Sequence, residues 1–252
     1  MLGALRKASF DAVGFDIRPS SEFGGNAPHM RELSKFSQNL RILITVVRDI
    51  AQTDAVLFET QRLTEAPNLQ TIIVCSTLSP RYTTALRDRV PATIALIDAP
   101  MSGAAIAAEQ ARLSFMLGGS TPDLDHHQPL FDAMGAHFHR MGSFGTGMQA
   151  KVLNNLLAAS NTAMTRLVLD WAEQAGLDEN ALLGLIETSS GQNWLASGFQ
   201  EIEFSRDGYG AENSIGILHK DVASALDAAP PDADINLPRA IQHALLSLKT
   251  KR

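Results

Sequence analysis

The chain has 252 residues, 45% of them hydrophobic and 19% charged, with a formal net charge of −6. That balance suits a soluble globular protein of one large or two ordinary domains, and it excludes a disordered or fibrous chain. The acidic charge without a basic stripe argues against nucleic acid, the lone Cys75 against a disulfide framework and for a reducing, cytoplasmic compartment, and the absence of an apolar run of ~18 residues against a membrane span.

Met1–Ala8 is too short and broken for a secretory signal. Short runs rich in β-branched residues then alternate with helix-like segments through about residue 140. Strands are predicted at Ala12–Phe15, Leu40–Val47, Thr71–Cys75, Thr93–Asp98, Leu113–Leu117 and Ala136–His139. Between them Ile50–Phe58, Pro80–Asp88 and Asp123–Met134 carry helical spacing or helix starts, so βαβ units and a largely parallel sheet are expected. After Gly147 the β pattern stops. Val152, Leu153, Leu156, Leu157, Met164, Leu167, Val168 and Trp171 follow helical spacing without proline, and Gly176 supplies a stop. Such a helix runs ~28 residues, or ~42 Å, a length suited to a spine between two domains. Further helices are expected at Glu179–Glu187, Ser214–Ala228 and Pro238–Leu248.

The most informative stretch is Gly145-Thr146-Gly147-Met148-Gln149-Ala150-Lys151-Val152-Leu153-Asn154-Asn155. A Gly-x-Gly hinge enters a helix whose first turn carries Lys151, with Asn155 four residues on and therefore on the same face. An ammonium and a carboxamide there suit handling a proton and holding a hydroxyl or carbonyl oxygen. The helix start disfavours added positive charge, which helps a lysine act as a base. Taken alone, most helical lysines are simply solvated. Asp98-Ala99-Pro100-Met101-Ser102-Gly103-Ala104 follows a strand, and its small residues suit a nest for a carboxylate. An ordinary strand-to-helix turn reads the same way. His126-His127 is expected exposed on a helix beside Asp125, and His137-x-His139 on one strand face; with no third ligand close in sequence, no metal site is predicted. Asp16 ends a strand, where a carboxylate suits a ribose diol, although Asp-x-x-Pro also makes a turn.

Val13-Gly14-Phe15-Asp16, Ser76-Thr77, Asp98–Gly103, Gly145-x-Gly147-x-x-x-Lys151-x-x-Asn154-Asn155, Ser189-Ser190-Gly191 with Trp194, and Lys220-Asp221 stand in an order and spacing that resemble the β-hydroxyacid dehydrogenase family, closest to 3-hydroxyisobutyrate dehydrogenase and its relatives. The resemblance implies an α/β fold: an NAD(P)-binding Rossmann-like, mostly parallel sheet domain over 1–143, then an all-helical domain over 144–252 that often makes a homodimer or homotetramer. It implies reversible oxidation of a small β-hydroxy acid to its keto or semialdehyde form. By the same resemblance Lys151 is the general acid/base and Asn155 holds the reacting oxygen or orients Lys151. Ser102, Gly103 and Ala104 bind the carboxylate, with Asn154, Trp194 and Asp221 completing the substrate pocket. Asp16, Arg18, Val46, Val47, Ser76, Thr77 and Lys220 face the cofactor, NAD being favoured by Asp16 and NADP possible through Arg18. Three departures stand out. Ala104 replaces a second glycine, and Asn213 falls where relatives carry phenylalanine. Met1 aligns inside the first helix, beyond the first strand and its Gly-x-Gly-x-x-Gly loop, and the C-terminus aligns a few helical turns short. Two neighbouring strands are then expected to close the gap or leave ladder groups unpaired. The alternative function is a truncated or degenerate, non-catalytic dehydrogenase-like scaffold. An imine reductase shares the architecture but carries another residue at the lysine position.

Overall fold

The computed structural model describes residues 1–251, the side chain of Ala104 aside. Its contacts divide into two compact units, Met1–Lys151 and Val152–Arg252.

In the first unit α1 (Leu2–Lys7), a 3-10 segment (Ser20–His29) and α2 (Leu33–Gln38) lead into alternating strands and helices. These are β1 (Ile42–Thr45), α3 (Ile50–Leu57), β2 (Thr71–Val74), α4 (Pro80–Arg89), β3 (Ala95–Asp98), the two-residue β4 (Met101–Ser102), α5 (Ala104–Glu109), β5 (Leu113–Gly118), α6 (Thr121–Asp132) and β6 (Gly135–Gly142). Side-chain caps fix the starts of α3, α4 and α6: Asp49, Ser79 and Ser120 accept from the backbone N–H groups of Gln52, Tyr82 and Asp123. Each cap satisfies an amide the helix leaves unpaired.

The sheet runs β1-β2-β3-β5-β4, with β6 on β5. β1, β2 and β3 are parallel, as are β5 and β6, while β5 runs antiparallel to β3 and β4. The result is a mixed, mostly parallel sheet. β2 is buried along its whole length, and its period-two alternation feeds two cores. Ile73 joins Ile97, Phe115 and Phe131 on one face; Ile72 and Val74 join Leu43, Leu57 and Leu86 on the other.

Two expectations are corrected here. Ala12–Phe15 builds no strand: Gly14 makes only an isolated parallel bridge with Met30, through Gly14 N to the His29 carbonyl and Arg31 N to the Gly14 carbonyl. Among the described residues β1 therefore pairs with β2 alone. His127 is buried, not exposed, because it shares the inward spacing of Leu124, Leu130 and Phe131 on α6. Its Nδ1 lies 2.8 Å from the Asp123 carbonyl oxygen. His137 and His139 are both exposed on β6, with Phe138 turned to the core between them.

The second unit is helical. α7 (Thr146–Gln174) opens in the first unit and continues through it, followed by α8 (Glu179–Glu187), α9 (Trp194–Ser197), α10 (Ser214–Asp227) and α11 (Asn236–Leu246). α7 ends as predicted at Gly176, which adopts φ +74° while Leu177 N donates back to the Ala172 carbonyl at 2.9 Å. One core gathers Ala159, Ile215, Val222 and Leu245, another Leu169, Leu183, Leu195 and Phe199. Among the described residues no helix is long and apolar enough to cross a membrane.

Candidate active site

In the first unit the candidate residues gather at the exit of β3. Asp98, the last residue of that strand, is fully buried, and its carboxylate accepts from Gly145 N at 2.7 Å and Met148 N at 2.5 Å. Burial pushes its pKa up to about 6, against the amides of Gly145, Met148 and Gly147 that favour the charged form. The Gly-x-Gly hinge now has two separate reasons. Gly145 takes φ +97°, and a Cβ on Gly147 would collide with the Met116 carbonyl of β5.

One turn along α7, Lys151 is buried and its Nζ donates to Ser102 Oγ at 2.9 Å. Ser102 is placed by β4, which pairs it with Ser114 of β5. Gly103 follows at φ +132°, where a side chain would press on the Ala107 Cβ, and Ala104 opens α5. The amine and the small-residue bend, 49 positions apart in sequence, therefore meet.

Further along the sheet, Val47 N donates to Ser76 Oγ at 2.9 Å, joining the loops that leave β1 and β2. Val46 beside it is exposed and Thr77 half-buried. Asp16 lies on its non-strand segment with its carboxylate taken by Arg18, through the backbone N at 3.0 Å, Nε at 3.2 Å and Nη2 at 3.3 Å. Burial would raise the Asp16 pKa, but the Arg18 guanidinium outweighs it and holds the carboxyl below its usual value.

The second unit supplies an amide network. Asn155 Nδ2 donates to Asp221 Oδ2 at 2.6 Å, and Asn154 Nδ2 donates to Asn155 Oδ1 at 3.2 Å. Asp221 is 1% exposed and its other oxygen lies 3.0 Å from Lys220 Nζ. Its carboxylate thus holds the Asn155 amide with one oxygen and pairs with Lys220 through the other. Trp194 has a different neighbour, lying tilted against Phe204 at 6.0 Å between centroids. Asn213 proves to be a cap: its Oδ1 accepts from Gly216 N at 3.1 Å and its Nδ2 donates to the Gly208 carbonyl at 2.8 Å, starting α10.

Such an arrangement can exchange a proton at the Lys151 amine, and hold an oxygen with the Asn155 amide. The Ser102 hydroxyl beside the amine offers a further donor to an anionic substrate. Sequence reasoning placed Asp98 only at the end of a strand. The signal that marks it is a carboxylate at a strand exit paired with a Gly-x-Gly helix start, since a glycine there admits a buried capping group.

The model of the NAD binding domain of 6-phosphogluconate dehydrogenase matches residues 1–143, and that of the NAD-binding of NADP-dependent 3-hydroxyisobutyrate dehydrogenase matches residues 145–247. NAD(P) is the cofactor class of both. The chain is similar to the mitochondrial 3-hydroxyisobutyrate dehydrogenase of Drosophila melanogaster, at 31% identity over 77% of this chain and 61% of that protein. It is also similar to the NAD-dependent L-serine dehydrogenase of Pseudomonas aeruginosa, at 32% identity over 64% of this chain and 57% of that one. The matches thus take in less than two thirds of those relatives' lengths. A crystal structure of 3-hydroxyisobutyrate dehydrogenase from Salmonella typhimurium superposes with a TM-score of 0.82 at 20% identity, covering 98% of this chain and 88% of that one. With both halves of the chain matched in order, the chain belongs to the β-hydroxyacid dehydrogenase family, in its 3-hydroxyisobutyrate dehydrogenase-like branch.

Proposed function

We propose that the chain acts as an NAD(P)-dependent oxidoreductase on a small β-hydroxy acid, with residues 1–143 as the cofactor domain and 144–252 as the helical dehydrogenase domain. The observation that carries the reading is the 2.9 Å hydrogen bond from Lys151 Nζ to Ser102 Oγ, which puts the candidate base against the candidate carboxylate holder. The two named relatives are a 3-hydroxyisobutyrate and an L-serine dehydrogenase, and both of those compounds carry a carboxylate with a hydroxyl on the β carbon. That shared chemistry is the substrate class proposed here.

Lys151 takes the substrate hydroxyl proton as the carbinol carbon is oxidised, and returns it in the reverse direction. Asn155, oriented by Asp221, donates to the same oxygen and holds it as it becomes a carbonyl. Ser102 and the amides of Gly103 and Ala104 hold the carboxylate, with Asn154 and Trp194 closing the pocket. When bound, NAD(P) supplies the two-electron hydride acceptor. The residues present fit its nicotinamide and ribose portions: Val46, Val47, Ser76 and Thr77 stand at the carboxyl ends of parallel β1 and β2, where open α/β sheets take ligands. Asp16 offers the diol an acceptor and favours NAD, Arg18 beside it can accept a 2′-phosphate, and Lys220 faces the cofactor from α10. Among the described residues no Gly-x-Gly-x-x-Gly loop is present, so the pyrophosphate is assigned no holder. The buried Cys75 suits action in the cytoplasm. Homodimers or homotetramers are supported by the apolar outer face of α7.

The test has two arms. NADH titration by fluorescence is expected to give saturable binding; no binding moves the chain to the alternative of a non-catalytic scaffold. Lys151→Ala is expected to lower turnover of 3-hydroxyisobutyrate or L-serine by ~10²–10⁴-fold with unaltered NADH affinity. Undiminished turnover removes Lys151 from the mechanism.

A further inference from the structure

We propose that Asp98 is a positioning residue: its carboxylate locks the first turn of α7 to the sheet and thereby sets the Lys151 amine against Ser102. The inference rests on the reading of Lys151 as the acid/base. It goes beyond that reading by giving the base a dedicated clamp, drawn from another element and distinct from any group that touches substrate.

The start of α7 has no local side-chain cap of the kind that begins α3, α4 and α6. Gly145, the residue before it, has no side chain, and Thr146, its first residue, donates its hydroxyl outward to the Ser143 carbonyl at 2.7 Å. The amides of Gly145 and Met148 go to Asp98, 47 and 50 positions earlier in the chain. The cap is therefore tertiary, and it fixes where the helix begins relative to β3. Ser102, the partner of Lys151, stands in β4, four residues after Asp98 ends β3. One strand exit carries both the clamp on the helix and the hydroxyl that receives the amine. Lys151 lies three positions beyond the clamped Met148 amide on the same helix, so a shift of the first turn is carried directly to Nζ.

A carboxylate is the group this geometry needs. Two oxygens serve two amides at once, which one acceptor of a carboxamide cannot do, and negative charge is favoured at a helix N-terminus. Two glycines make the space. A Cβ on Gly118 of β5 would collide with Asp98 Oδ1, and one on Gly147 would lie 3.0 Å from Oδ2. The groups facing the carboxylate are the Cys75 thiol just beyond β2, pushed by burial and by Asp98 up to about 12 and so neutral throughout, Gly118 from β5 without a side chain, Gly145 before α7, and Gly147 and Met148 in its first turn.

The test uses the full chain, isotopically labelled, with the Lys151 ζ signals assigned by their loss in Lys151→Arg. In Asp98→Asn one of the two capped amides faces an NH2 group. Hydrogen exchange at Gly145 and Met148 is expected to rise at least tenfold, and the Lys151 ζ signal to move to that of a solvated lysine, while the amide signals of β1 and β2 stay in place. The kcat is expected to fall about 100-fold with KM changed less than twofold, the pattern of a misplaced acid/base. An unmoved Lys151 signal in the folded variant overturns the proposal. Should Asp98→Asn not fold, the wild-type chain decides: the Gly145 and Met148 amides and the Lys151 signal must titrate together between pH 4 and 8, and amides that titrate beside an unmoved Lys151 overturn it. A wild type without turnover on β-hydroxy acids defeats the proposed function, while the Asp98–Lys151 coupling is still read in the spectra.

Discussion

Asp98 is costly at neutral pH, and the sign of that cost is testable. Its pKa is raised by burial from 3.8 to about 6, so the folded chain binds the proton more tightly than the unfolded one. The stabilisation from protonation is complete below about pH 4 and is lost as pH rises through about 6. A shift of that size corresponds to about 3 kcal/mol. The difference in unfolding free energy between wild type and Asp98→Asn, measured in urea, should therefore move against the wild type by that order between pH 4 and pH 7. A difference that stays flat with pH would show that the carboxylate is not perturbed. A protein that keeps such a charge is keeping it for geometry, because a neutral serine or threonine cap would start the helix without the penalty. Close packing around the clamp gives a second residue-scale prediction. Gly147→Ala drives a methyl into the Met116 carbonyl and should lower stability by ~1–3 kcal/mol, read as a lower urea midpoint. An unchanged midpoint would mean the helix start can yield.

At the scale of elements, the parts of the chain governed by local rules were legible. β2 and β3 appear where a short apolar run predicts them, and α8 occupies Glu179–Glu187 as its spacing dictates. Ala12–Phe15 was misread because a strand needs a neighbour as well as a sequence pattern, and Gly14 finds only Met30. Lys151, Asn155 and Ser102 were visible as residues with the right chemistry in the right order. Their partners were not. Asp98 reaches α7 across half a hundred positions, and Asp221 turned out to hold Asn155, contacts that no periodicity encodes. Arg166 is the extreme case. It sits among apolar residues on α7, is 1% exposed, and donates to the carbonyls of Ser205, Asp207 and Lys249, drawing two separated segments onto the helix. Arg166→Met removes the donor from all three carbonyls and strands the buried Ser205 acceptor, at a cost of ~1–3 kcal/mol. The expected result is a lower melting temperature together with rapid amide exchange through 205–209 and 247–251. If exchange in both segments stays slow, Arg166 is not the tie between them.

For the whole molecule, α7 presents a face that a single copy of the chain does not cover. Leu153, Leu157, Met164, Leu167 and Trp171 are 52%, 67%, 60%, 41% and 64% exposed. Their spacing, with Ser160 filling the break, alternates four and three, the repeat by which two helices pack along a common seam. The buried residues Val152, Asn155, Ala159, Thr162 and Leu169 occupy the opposite stripe, so the exposed set is not displaced core. Scattered exposed leucines are ordinary; a run along ~27 Å of one helix, ending in a tryptophan, marks a contact surface. In the proposed homodimer a second copy of the chain would meet the same stripe, as a self-complementary two-fold interface requires. Sedimentation at micromolar concentration should then give twice the 27.2 kDa chain mass. The double variant Leu157→Glu, Trp171→Glu, which places charges on the seam and touches neither core, should sediment as a monomer with its helical circular dichroism intact. A wild type that runs at the single-chain mass, or a double variant that remains dimeric, removes α7 from the assembly. Because Asn155 and Lys151 lie on the buried stripe of the same helix, a monomeric variant also asks whether the site depends on assembly. A double variant with wild-type turnover would separate the seam from the chemistry, and one that loses turnover along with the dimer would tie them together.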